Sequence, residues 1–137
     1  MILDAVTLVL LRRGPRAGEF IGEGLESLQQ QHLDYLDGMR RQGHMAAAGP
    51  FSDQPDEDLR GICLYVTGLE ETRRLAEADP SVRAGRLAVD VMVWSFLRGE
   101  VVLPRRNEDS RPGWELFTGP TPGAGNSDGG DVEPPSR

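Results

Sequence analysis

Up to Leu97 the apolar positions follow two rhythms. Residues 5–12 (AVTLVLLR), 61–67 (GICLYVT) and 87–97 (LAVDVMVWSFL) are rich in β-branched and aliphatic side chains, which predicts strands. A shorter run over residues 44–48 ends at Gly49–Pro50 and predicts a further strand. Residues 24–42 behave differently. Leu25, Leu28, His32, Leu36 and Met39 recur at helical spacing and share one face, with Gly43 placed as a C-terminal cap. Gln29, Gln30, Gln31, Asp34 and Asp37 fall on the polar side of the same helix. A second helix over residues 69–78 stops at Asp79–Pro80, because a residue before proline avoids the helical region, and a short turn covers residues 80–83. The order β-α-β-β-α-β defines an α+β, ferredoxin-like domain with an antiparallel sheet.

The strands are apolar on both sides. In the last one, Leu87, Val89, Val91 and Val93 take one face while Met92, Trp94 and Phe96 take the other. In the first, Val6, Leu8 and Leu10 oppose Val9 and Leu11. Two helices cover one side of such a sheet. A second copy packed sheet to sheet covers the other, so a homodimer is expected.

Composition narrows the partners. The chain has 137 residues and a formal net charge of −7, and its 15 basic residues are all arginine and scattered. A basic patch for nucleic acid is missing, so no nucleic-acid partner is expected. The longest apolar stretch, residues 5–11, is too short to span a bilayer, and the strand pattern begins too early for a signal peptide. The single cysteine, Cys63, fits a reducing compartment, and a cytoplasmic location is expected. Residues 1–98 form the domain; residues 99–137 form a Gly/Pro-rich tail expected to be mostly flexible, with Trp114, Leu116 and Phe117 as its apolar exception.

His32 is the most informative residue. A histidine inside an apolar stripe is either a core residue with satisfied ring nitrogens or a proton-transfer group in a pocket. Gly49, Pro50 and Phe51 read as the turn after an edge strand with an available ligand contact. Arg12, Arg13 and Arg83 are candidates to hold an anionic substrate, against surface charge as the ordinary role. Asp90 is an unexpected acid on the Met92/Trp94 face, fit to pair with an arginine across the dimer or to line a cavity. Cys63 alternates within its strand as a small buried side chain. The acidic loop at residues 52–58 lacks calcium-loop spacing. No zinc spacing, phosphate-binding glycine loop or nucleophile elbow occurs, so neither a metal nor a cofactor is expected.

The ordered set HLDYLDGMRRQG (residues 32–43), AAGPF (47–51), LYV (64–66), LEETRRLAEADPSVRAG (69–85) and the last strand through Trp94 resembles the YCII-related family. The resemblance implies a ferredoxin-like protomer that dimerises through its sheet into a dimeric α+β barrel. It also implies a site built from a histidine and an aspartate, which fall on His32 and Asp79. Dehydrochlorination of a chlorinated aromatic-degradation intermediate is an activity within that family. A carboxylate on one ring nitrogen fixes the tautomer and makes the other nitrogen more basic. Asp79 before Pro80 is equally a good helix N-cap. Two functions follow: a cofactor-independent lyase or isomerase that moves a proton on a small organic substrate, or a non-catalytic dimeric ligand-binding or interaction module with a vestigial pair.

Overall fold

The computed structural model describes residues 1–103. The tail segment containing Trp114, Leu116 and Phe117 lies outside the described residues. In chain order the elements are β1 (Leu3–Arg13), a 3-10 turn (Ala17–Glu19), α1 (Gly22–Arg41), β2 (Met45–Pro50), β3 (Leu59–Tyr65), α2 (Leu69–Glu77), α3 (Pro80–Arg83) and β4 (Leu87–Leu97). The strands form one sheet in the order β2-β3-β1-β4, with each neighbouring pair antiparallel. This is the ferredoxin-like α+β arrangement.

α1 ends where Gly43 makes a left-handed turn at φ +85. His44 N–H donates to Met39 O and Gly43 N–H to Arg40 O, so both closing bonds of a glycine-capped helix end are made. The stripe from Leu28 through His32 and Leu36 to Met39 is buried. Its Leu36 and Met39 share one core cluster with Val9, Leu11, Cys63, Tyr65 and Leu87 from the sheet and with Leu75 and Ala76 from α2.

Two local details correct the sequence reading. Gly49–Pro50 is not a turn. Gly49 pairs with Ile62 and Pro50 with Gly61, and Phe51 N–H adds a bond to Arg60 O. Because β2 is an edge strand, proline there removes no bond that the sheet needs. The second is Asp37, expected in solvent but buried, where its carboxylate accepts from Arg41 Nη2 at 2.7 Å. Elsewhere, Gly14 is required by a close approach. A Cβ there would collide with the Gly85 carbonyl, where Gly14 N–H and Arg16 N–H bond Arg86 O and Gly85 O.

The chain covers the sheet on one side. On the other, Met92 and Trp94 remain 42% and 40% exposed. Toward its C-terminal end β4 is open on the helix side too, since Val93 is 55% exposed. Among the described residues, no helix is long and apolar enough to cross a membrane.

Candidate active site

His32 projects from the middle of α1, and Asp79 stands immediately before α3. Their side chains meet: Nδ1 of His32 lies 2.7 Å from Oδ2 of Asp79, with side-chain exposures of 8% and 4%. Against a carboxylate, which only accepts, Nδ1 carries the proton and donates it into this bond. Among the described residues Nε2 has no hydrogen-bond partner.

Asp79 is held from a second direction. Its Oδ1 accepts from Ser81 N–H at 2.9 Å, capping α3, whose first residue is Pro80. Proline at that position is preorganised for the helix and lacks the N–H that would need a partner. The Asp-Pro pair therefore fixes the carboxylate for local reasons, and its other oxygen is left for the imidazole. The packing of α1 against α3 closes the gap of 47 residues in sequence.

The carboxylate sits above neutral groups. Cys63 is pushed up to about 12, first by burial and then by the charge of Asp79, so it is a thiol rather than a thiolate at neutral pH. Tyr65 is raised well beyond its ordinary value, chiefly by burial, with Asp79 contributing. Tyr35 is raised by burial and then by Asp79, and its hydroxyl donates to Leu75 O at 2.9 Å.

The remaining sequence candidates are dispersed. Arg83 sits on α3, where its N–H donates to Asp79 O and its side chain is exposed. Gly49, Pro50 and Phe51 lie at the end of the edge strand β2 and share no recorded hydrogen bond or ion pair with the dyad. Arg12 lies on the helix-free face, where Nε donates to Asp90 Oδ2 at 2.8 Å. Asp90 thus finds its arginine within its own chain, on the neighbouring strand. Sequence reasoning missed Arg86, whose Nη1 donates to Gln29 Oε1 at 3.0 Å. Gln29 precedes His32 by one helical turn, and a polar residue bordering the apolar stripe was the available signal. Among the described residues, no group of three or more His, Cys, Asp or Glu side chains could hold a metal ion.

The model of the YCII-related domain matches residues 7–95, which includes His32 and Asp79. The chain belongs to the YCII-related domain family. No curated protein sequence matches it. Among solved structures, it is similar to a 5-chloro-2-hydroxyhydroquinone dehydrochlorinase from Burkholderia phenoliruptrix, in complex with 2,5-dihydroxybenzoquinone. That match has 21% identity, covers 69% of this chain and 95% of the other, and has a TM-score of 0.45.

Proposed function

We propose that this YCII-related protein is a cofactor-independent proton-transfer enzyme of the lyase or isomerase type, acting on a small organic molecule. The observation that carries this reading is the buried 2.7 Å contact between His32 Nδ1 and Asp79 Oδ2. Nε2 takes the proton from an acidic C–H. The C–H electron pair stays on carbon as an enolate-like anion, or expels a leaving group from the neighbouring atom. Asp79 holds the ring tautomer and stabilises the imidazolium that forms. In an isomerase the same proton returns at another atom; in a lyase it leaves to solvent with turnover.

The working unit in this reading is a homodimer formed through the helix-free face. Its support is the exposure of Met92 and Trp94 on a strand face that no helix covers. One observation favours a second reading, a ligand-binding module with an inert pair: only 8% of the His32 side chain reaches solvent.

Deuterium exchange separates the two. A panel of small carbon acids is incubated with the protein in D2O and followed by proton NMR. The enzyme reading expects loss of one C–H signal with the wild type and none with His32→Gln or Asp79→Asn, both still folded. Diethyl pyrocarbonate, which modifies an accessible neutral imidazole, should react with His32. An unreactive His32 and no exchange across the panel would establish the inert module instead.

A further inference from the structure

Six arginines among the described residues are spent on carboxylates: Arg12, Arg16, Arg41, Arg73, Arg74 and Arg98. Arg13, Arg60 and Arg86 follow another pattern. They have no carboxylate partner among the described residues, and they gather at one end of the sheet. In a chain with a net charge of −7, such a gathering is not what charge balance produces by default.

The backbone brings the three together. Arg13 ends β1 opposite Leu87, directly after Arg86, and its N–H donates to Asp58 O at 2.8 Å, just before β3 and Arg60. Arg13 Nη2 lies 3.8 Å from where a Cβ on Gly18 would stand, so its side chain crosses toward the loop that leads into α1. Arg60 is anchored by Nη1 donating to the Glu57 carbonyl, which leaves its charge uncompensated by that bond. The Arg86 backbone is fixed twice, by its N–H to Ser81 O and by its carbonyl from Gly14 N–H. Its side chain is half-buried, bonded to a neutral amide, and its guanidinium is lowered by burial and then by the charges of Arg60 and Arg13. It stays cationic at neutral pH.

The location relates this cluster to the dyad. Gln29 holds Arg86, and His32 follows Gln29 at i+3 on α1, the spacing that makes helix neighbours. Ser81 provides a second link, since its N–H donates to Asp79 Oδ1 while its carbonyl accepts from Arg86 N–H. We propose that Arg86, flanked by Arg13 and Arg60, is an oxyanion-binding subsite beside His32, and that the substrate is a small organic acid bearing a carboxylate or phosphate group. The substrate assignment rests on the proton-transfer reading of His32; the anion site itself does not. The planar guanidinium of Arg86 would take two oxygens of the acid group, with the rest of the molecule extending along α1 toward His32.

The test is an NMR titration of 15N-labelled protein with inorganic phosphate, with sodium benzoate and with neutral benzyl alcohol. The expected result is saturable movement of the Arg86 Nε–Hε signal with an anion and none with the alcohol. Phosphate and benzoate form separate arms, and the tighter binder identifies the acid group. Arg86→Gln should weaken that anion roughly 10- to 100-fold, the usual loss for hydrogen bonds to a charged group. Arg13→Gln, at an exposed side chain that folding does not need, should weaken it several-fold. Arg73→Gln, on α2 and paired with Glu70, should leave it unchanged. Binding must survive His32→Gln, while deuterium exchange should not. Non-saturable shifts, or wild-type affinity in Arg13→Gln and Arg86→Gln, would overturn the subsite. Saturable anion binding without any exchange would overturn the catalytic reading and leave the anion site standing.

Discussion

A pair of oppositely ionisable side chains stands on each face of the sheet, in opposite surroundings. On the helix side, His32 and Asp79 meet at 2.7 Å among core residues, with exposures of 8% and 4%. On the open side, Arg12 and Asp90 meet at 2.8 Å on adjacent strands, with exposures of 38% and 44%. Burial dominates beneath the helices, where Cys63 and Tyr65 are held in their neutral forms. Partner contact dominates on the open face, where the Arg12 hydrogen bond lowers the Asp90 carboxyl. A pair that water screens contributes little, while a buried pair is costly to break, because the survivor is left uncompensated. The helix face therefore holds its pair in a buried, fixed setting, while the open face leaves its pair and its apolar neighbours Met92 and Trp94 in reach of water.

The largest expected effect breaks the open face. If a second copy covers Met92 and Trp94, Trp94→Asp puts an unpaired carboxylate into that contact at a cost of several kcal/mol. Light scattering at micromolar concentration should show a dimer for the wild type and a monomer or unfolded chain for the variant. A wild-type monomer would end the dimer proposal and leave Met92 and Trp94 exposed in solution.

The next effect breaks the helix face. Asp79→Ala removes a helix cap and the imidazole's partner together, and should cost about 2–4 kcal/mol. Asp79→Asn keeps a capping oxygen and the shape, so its loss should be smaller, about 1 kcal/mol, while deuterium exchange still disappears. Urea denaturation of the two variants measures the difference. Equal losses would show that the cap contributes nothing and that the pairing alone stabilises this corner.

A third effect concerns pH. The Cys63 thiol is raised to about 12, so the unfolded chain releases this proton first as pH rises. Stability from the neutral thiol is complete below its unfolded value, and is lost progressively on the way up to the folded one. Unfolding free energy should fall by roughly 1 kcal/mol per pH unit above about pH 9. Cys63→Ala should start lower, because it leaves a small cavity, yet lose less between about pH 9 and pH 10. Tyr65 then adds its own loss above about pH 10 in both proteins, since burial raises it as well.

The same contrast explains what the sequence revealed. Periodicity located every strand and both longer helices, because burying one stripe or one face is a local demand on side-chain spacing. It found Leu28, His32, Leu36 and Met39 together for that reason. Asp79 was legible as a cap, from Pro80 beside it, but its pairing with His32 followed from the family resemblance rather than from spacing. Contacts between distant polar side chains were not legible. Arg12–Asp90 spans 78 residues and Arg86–Gln29 spans 57. Each depends on strand register or helix placement, which residue spacing along the chain does not supply. Asp37 was misplaced outside the core, because a stripe of apolar residues does not announce that a polar neighbour is buried beside it.

The smallest expected effect sharpens the comparison. Asp90→Asn removes the carboxylate partner of Arg12 on a face that water reaches, so in a monomer the stability should stay within measurement scatter. The sign is fixed by the lowered folded value of Asp90: its contribution is present above the usual carboxylate range and is lost as pH falls through that lowered value. Any difference between wild type and Asp90→Asn should therefore close on the acid side and remain open at neutral pH. Cover by a second copy changes the magnitude but not the sign. With the face closed, Arg12 loses water as well as its partner, and the variant should weaken the dimer while the monomer remains indifferent. Dilution measures this directly, by comparing the dissociation midpoints of the two proteins in sedimentation equilibrium. Identical midpoints would mean that the pair stays hydrated in the assembly, at the edge of the contact rather than inside it.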